Sequence, residues 1–265
     1  MSIQSVDRAL TILSLFSSRC PVLGVTDISR AVGLSKGTVH GLIRTLVRQG
    51  FLQQDGPTRK YRLGLKIYEL GMILAGTLEI NQKATGPVNQ MVKSTQLVGR
   101  VAIWDGDSVV ITSQVHPRPR AVISHQFGPR VHAYCSALGK AVLAFLEPRQ
   151  LEDYLKRTSL VAFTSTTVTR KDLLRSDLET ARRQGFAIDR EEAVQGVGCI
   201  GAPVFHYDGQ VAGSISLSGA MPRVLGDKLA GLAEEVIRTA AEISRYLGYL
   251  PPFADTLAGL RPAGI

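Results

Sequence analysis

Apolar residues recur at helical spacing from the beginning of the chain. Val6, Ala9, Leu10, Leu13 and Phe16 predict a first amphipathic helix from Ser5 to about Ser17, ended by Pro21 and Gly24. Thr26 reads as the N-cap of a short second helix with Ile28, Ala31 and Val32 inward, and Gly33 as the left-handed residue that closes it. Ser35 caps a third helix whose buried stripe is Val39, Leu42, Ile43, Leu46 and Val47, stopped at Gly50. Two helices joined across Gly33-Leu34 make a helix-turn-helix. Phe51–Gln54 and Tyr61–Leu63, on either side of Asp55-Gly56-Pro57, then predict a hairpin that serves as a wing, with Arg59 and Lys60 near its tip.

Leu65, Ile67, Leu70, Ile73, Leu74 and Leu78 continue a helical stripe over 64–80 that is too apolar for a solvated linker. Periodicity alone leaves open whether it packs on a second copy or on its own chain. Two-fold DNA sites favour dimeric readers, so the expectation is a dimerisation helix. From about Asn81 the pattern becomes mixed. It predicts a helix over Gln82–Thr95, strands at Gly99–Trp104 and Ser108–Gln114, a long helix opening at Ser136, and helices at Asp172–Gln184 and Lys228–Tyr246. Between the last two, strands Gly198–Tyr207 and Gln210–Ser218 are joined by Asp208-Gly209, a strong hairpin signal.

The expected fold class is therefore α+β. A winged helix-turn-helix DNA-binding domain occupies residues 1–63, a linker and dimerisation helix 64–80, a sensory-type domain with a largely antiparallel sheet 81–250, and a loosely attached tail 251–265.

Charge sharpens this picture. Residues 1–66 hold ten Lys and Arg against three acids, while the rest of the chain holds 21 against 19, so the basic excess sits on the head. A small basic head on a nearly neutral body marks a partner that is a polyanion, with nucleic acid first and an anionic membrane surface second. On the third helix the positions facing away from the stripe are Lys36, Gly37, His40, Gly41, Arg44, Thr45 and Arg48, with no acid among them. Lys36, Thr38, His40 and Arg44 are placed to read or position bases, Arg48 to touch phosphate, and Arg59 and Lys60 to reach the flanking backbone or minor groove. Thr26 and Ser35, at the helix starts, complete the DNA-facing set.

No apolar run approaches the roughly 18 residues of a membrane span, and the expected location is cytoplasmic, associated with the nucleoid on operator, with no membrane partner. Cys20, Cys135 and Cys199 are odd in number and form no CxxC pair, which fits neither a disulfide framework nor a zinc site, so no metal and no cofactor are expected.

Several features invite other readings. Cys199 or Cys135, activated by His132 or His206, is the enzyme alternative, but no spacing supplies a nucleophile, base and orienting group. A DNA-binding protein without sequence preference is the other alternative. Gly196-Val197-Gly198-Cys199-Ile200-Gly201 spells GxGxxG, yet Pro203-Val204-Phe205 continues as a strand where a dinucleotide site needs a helix. Leu138-Gly139-Lys140-Ala141 looks like the end of a phosphate loop, but Tyr134 and Ala141 stand where that loop needs Gly and Ser or Thr, leaving Lys140 as a solvated or packing lysine. Ser214, Ser216 and Ser218 alternate with Ile215 and Leu217, so one strand face carries small hydroxyls that look to either solvent or a ligand.

Several stretches also carry a family likeness. They are Val6–Leu10, Gly33–Lys36 with Thr38–His40, Tyr61–Gly64, Ala133–Ala141, Gly185–Ala187 with Asp189, Glu191 and Glu192, Gly196–Pro203 and Ser214–Gly219. In this order and spacing the chain resembles the IclR family of bacterial transcriptional regulators over about residues 4–248. The resemblance implies a winged helix-turn-helix, a dimerising linker helix and a GAF-like effector domain. It implies a dimer, or a dimer of dimers, on double-stranded palindromic operator DNA, mostly controlling catabolic operons. Carried over position by position, it places Ala137, Leu138, Asp189, Cys199, Ser216 and Ser218 around a small-molecule effector. The exposed amides that follow Ser136 and the serine hydroxyls make a small carboxylic acid the expected effector. Gly37 and Gly41 depart from the family pattern, which has bulkier residues there, so the resemblance does not fix base readout at those positions.

Overall fold

The computed structural model describes residues 2–117 and 129–250. These fall into two compact units, and the chain passes from the first to the second after Thr77. The tail expected over 251–265 lies outside the described residues.

The N-terminal unit comprises α1 (Gln4–Ser14), α2 (Val25–Val32), α3 (Lys36–Arg48), the hairpin β1 (Leu52–Gln54) and β2 (Tyr61–Leu63), and α4 (Leu65–Thr77). Ile12, Ile28, Val39, Ile43, Leu52 and Tyr61 form its core. Gly33 takes φ 67° between α2 and α3, the left-handed turn that a side chain would strain. The Ser35 hydroxyl accepts the Thr38 N–H at 3.2 Å and caps α3 as expected.

Thr26 is not a cap. Gly24 holds that position, its N–H donating to the Asp27 carboxylate at 3.1 Å, which moves the start of α2 two residues upstream and leaves Thr26 exposed in the first turn. Ala31 is exposed rather than inward, because this short helix turns only Ile28 fully into the core. Leu23 and Tyr61 exchange two backbone hydrogen bonds and so tie the wing to the segment before α2.

The helix predicted over 64–80 is two helices. α4 stops at Thr77, and Leu78 takes an extended conformation as the N-cap of α5 (Glu79–Thr95). Ile80 belongs to α5 because it is buried with Ala84, Val88 and Met91 in the core of the second unit, whereas α4 buries none of its residues.

The C-terminal unit is built on one antiparallel six-stranded sheet. In chain order its elements are β3 (Val98–Trp104), β4 (Ser108–Val115), β5 (Arg130–His132), α6 (Ala137–Leu143), α7 (Pro148–Arg157), α8 (Lys171–Gln184), β6 (Ala187–Arg190), β7 (Val197–Phe205), β8 (Val211–Ala220), α9 (Met221–Leu225) and α10 (Leu229–Tyr246). The strand order is β5-β4-β3-β8-β7-β6. One face, with Val101, Ile200, Ile215 and Leu217, packs on α5 and α10. The other, with Ala102 and Ala187, packs with residues of α6, α7 and α8.

The helix expected to run long from Ser136 has seven residues and ends at Leu143, and Pro148 then opens a separate helix, α7. β5, β6, α7 and α9 are elements that the hydrophobic pattern did not predict.

Candidate functional site

On α3 the spacing that buries Val39, Ile43 and Leu46 turns Lys36, Thr38, His40, Arg44 and Arg48 outward, and all five are exposed. Ser35 and Thr38 also exchange a hydroxyl contact of 2.9 Å, so both serve the cap as well as the surface. Gly37 and Gly41 lie in the same exposed face, where an added side chain would meet open space or nothing nearer than the Ser35 hydroxyl. Among the described residues no ion pair engages Lys36, Arg44, Arg48, Arg59 or Lys60.

The wing tip is organised by Asp55. Its carboxylate accepts the Thr58 hydroxyl and the Thr58 N–H, which holds its pKa below the ordinary carboxylate value, and its carbonyl accepts the Arg59 N–H at 2.9 Å. Arg59 sits in the left-handed region, φ 57°, exposed beside Lys60. The result is one acid-free, outward-facing set of donors and cations on α3 with two more cations on a structured hairpin.

In the C-terminal unit the antiparallel register assembles the second site. Asp189 on β6 stands opposite Cys199 on β7, and Cys199 opposite Ser218 on β8. Two residues along, Gly201 stands opposite Ser216, and Ser216 opposite Arg100 on β3, which in turn faces Gln114 on β4. Opposed residues of an antiparallel pair share a face, so Asp189, Cys199, Ser216, Ser218, Arg100 and Gln114 all lie on the α6 side of the sheet. The Cys199 Sγ and Ser218 Oγ are 3.1 Å apart, and both residues are buried.

The face the serines occupy is therefore not solvent-exposed. Ser214 donates to the Leu138 carbonyl at 2.9 Å and ties the first turn of α6 to the sheet. Gly201 lets that turn approach, since a Cβ there would fall 2.6 Å from the Ala137 carbonyl oxygen. Ala137 and Leu138 thus lie against the serine strand, while the Gly139 N–H is taken by the Ser136 hydroxyl at 3.1 Å.

The electrostatics of this face centre on Asp189. Burial raises its pKa to about 7; the N–H of Glu192, donating at 2.7 Å, pulls the other way, and the Glu192 charge adds to the rise. Burial also pushes the Cys199 thiol up to about 12, with the Asp189 charge adding and Arg100 opposing. Cys135 is likewise pushed up to about 12, mainly by burial, and its Sγ contacts the His132 carbonyl rather than an imidazole. A nucleophilic cysteine needs the thiolate, and these environments hold both as thiols.

Lys140 is not solvated. It is 2% exposed, and its Nζ lies 2.6 Å from Glu192 and 3.3 Å from Asp177. Arg100, Gln114 and Lys140 are residues that sequence reasoning did not assign to the site. No group of three or more metal-ligating side chains occurs among the described residues, and no helix there is long and apolar enough to cross a membrane.

Sequence profiles of two domains match the chain: the IclR helix-turn-helix domain over residues 5–56, and the C-terminal domain of the bacterial transcriptional regulator IclR over residues 73–245. The chain is 36% identical over 247 residues to the HTH-type transcriptional regulator XynR of Escherichia coli, covering 93% of this chain and 98% of that protein. It is 29% identical over 251 residues to the HTH-type transcriptional repressor AllR of Salmonella typhimurium, covering 95% and 92%. Among solved structures, the IclR of Thermotoga maritima superposes with a TM-score of 0.73 at 27% identity, covering 94% of this chain and all of that one. An IclR homologue of Microbacterium hydrocarbonoxydans, solved with 4-hydroxybenzoate, shares the fold with a TM-score of 0.78 at 22% identity, covering 92% and 98%.

Proposed function

Because this chain belongs to the IclR family of bacterial transcriptional regulators, and is a helix-turn-helix regulator rather than an enzyme, we propose that it is a ligand-responsive, sequence-specific regulator of a catabolic operon. On this reading α3 enters the major groove of a palindromic operator, with Lys36, Thr38, His40 and Arg44 at base edges and Arg48, Arg59 and Lys60 on the backbone or minor groove. Thr26 and Ser35 border the same contact. Counterion release by these cations supplies affinity, and the donors on α3 supply preference.

The protein acts as a homodimer or a dimer of dimers. Support comes from α4, a 13-residue helix that buries nothing in its own chain while Leu65, Tyr68, Leu70, Met72, Ile73 and Leu74 stand exposed on it. Such a surface is unfavourable in water and suits a second copy. The working location is the cytoplasm, on the nucleoid while operator-bound.

The effector is a small organic acid held by Ala137, Leu138, Asp189, Cys199, Ser216 and Ser218. The observation that carries this reading is the row of buried small polar groups, Asp189, Cys199 and Ser218, crossing three strands beneath the first turn of α6. A core built only for stability would fill such a row with apolar side chains. The relative solved with 4-hydroxybenzoate holds a molecule of this class.

Calorimetric titration with small mono- and dicarboxylic acids tests it. An acid should bind the wild type, and Ser216→Ala should weaken it by about 0.5–1.5 kcal/mol, the net worth of one neutral hydrogen bond. An effector that is uncharged and indifferent to Ser216 would contradict the reading.

A further inference from the structure

Arg100 stands on the serine face of the sheet, half-buried, opposite Ser216 on one side and Gln114 on the other. A guanidinium keeps its charge at any physiological pH, and removing it from water is costly unless an anion compensates. No ion pair involves Arg100 among the described residues, and residues 118–128 contain no Asp or Glu.

What holds it is a neutral chain with a fixed direction. Arg100 Nε donates to Gln114 Oε1 at 2.9 Å, so the remaining Gln114 nitrogen can only donate. That nitrogen lies 2.7 Å from His116 Nε2, which must accept, so the imidazole carries its proton on Nδ1. Among the described residues, His116 Nδ1 is buried without a hydrogen-bond partner. Both ends of the chain are thus donors, a cation at one and a neutral N–H at the other, and neither offers an acceptor. The Ser216 hydroxyl beside Arg100 adds a third donor. This arrangement complements an anion.

We propose that Arg100, oriented by Gln114 and His116, recognises the effector's carboxylate, while a hydroxyl or carbonyl oxygen at the acid's other end meets Ser218, Cys199 and Asp189. The inference rests on the acid-effector reading and names the residue that enforces it. A guanidinium binds a carboxylate bidentately through charge-assisted hydrogen bonds, about twice as strong as neutral ones, so it separates an acid from its uncharged amide. Arg100 and Asp189 lie three strands apart in rows offset by two residues, about 16 Å between their backbones at the strand spacing and rise of a sheet, which favours the longer of the small acids, such as 4-hydroxybenzoate or succinate, over pyruvate or glycolate.

The test is calorimetry on the full-length protein with 4-hydroxybenzoate, pyruvate, glycolate and succinate, each beside its uncharged amide. The wild type should bind at least one acid about tenfold or more tightly than its amide, a difference of about 1.4 kcal/mol. Arg100→Gln should abolish that preference, and Arg100→Lys should keep part of it, with thermal unfolding confirming that the variants fold. If Arg100→Gln does not fold, Arg100→Lys and the wild-type comparison of acid with amide decide. An acid whose binding depends on Ser216 but keeps its preference over the amide in Arg100→Gln overturns the role of Arg100 and leaves the effector class standing. Absence of binding by any acid at millimolar concentration overturns both.

Discussion

The Lys140 ammonium lies 2.6 Å from the Glu192 carboxylate with both side chains almost wholly buried, so a full ion pair is enclosed between α6 and the turn that follows β6. Glu192 also takes the Arg190 N–H on the same oxygen and donates its own N–H to Asp189, which couples the pair to the buried row of Asp189, Cys199 and Ser218. Breaking a buried pair by removing one partner leaves an uncompensated charge. Lys140→Met should therefore destabilise the protein by about 3–5 kcal/mol. Adding Glu192→Gln, which removes the stranded charge, should recover part of the loss. Urea unfolding of the three proteins checks this, and a single variant as stable as the wild type would show that the pair contributes nothing.

Asp189 titrates in the native protein near pH 7, well above the ordinary aspartate value, because burial opposes its charge. The folded state therefore binds the proton more tightly than the unfolded state. The resulting stabilisation is full below about pH 4, declines as pH rises, and is gone above about pH 7. Asp189→Asn keeps an oxygen for the Glu192 N–H and removes the titration. Wild-type stability should fall relative to that variant between about pH 4 and 7, as read by thermal melts across the range. Parallel pH profiles for the two proteins would place the Asp189 titration outside this window.

Leu70 and Leu74 are exposed on a helix that finds no core in its own chain. If two copies pair through this helix as proposed, replacing both with Glu puts four charges into the interface, where unpaired buried charge is strongly disfavoured. Sedimentation at micromolar concentration should show monomer. A variant that stays dimeric locates the contact elsewhere.

Arg44 and Arg59 should separate by mechanism. A recognition-helix arginine can bond a guanine edge bidentately, so Arg44→Ala should cost about 1–3 kcal/mol on operator and relax preference at one base position. Arg59→Ala should weaken all duplexes alike and make the salt slope shallower by up to about one unit. Titrations at several salt concentrations, on operator and on single-base variants, distinguish the two. A loss confined to one base pair in Arg59→Ala would reverse its assignment.

The parts of the molecule governed by local rules were legible in the sequence. Gly33 and Ser35 declare the turn and the cap, and the spacing of Val39, Ile43 and Leu46 determines which side of α3 carries Arg44. Where two local rules competed, reading failed: Thr26 and Gly24 both suit a cap, and Asp27 decided for Gly24. Ile80 extends the α4 stripe in sequence, yet it is claimed by the core of the second unit. Asp189, Cys199, Ser216 and Ser218 were named through family likeness, and the residues alone could not tell a solvent face from a buried one. Arg100 was missed because its significance comes from strand register with Ser216, which no local pattern encodes. Lys140 was left between a solvated and a packing role because lysines are seldom buried, and the structure excludes the solvated one, since every residue of α6 is buried.

The central claim is that one protein couples an acid to an operator. The most direct test is fluorescence anisotropy with duplexes covering the DNA upstream of its own gene and of the neighbouring genes, with and without a saturating acid identified by calorimetry. The account predicts that one duplex outcompetes random sequence, that the acid changes its affinity by some factor, and that this duplex changes the acid's affinity by the same factor, as linkage requires. Equal affinity for every duplex, or an operator affinity that no bound acid alters, would contradict it.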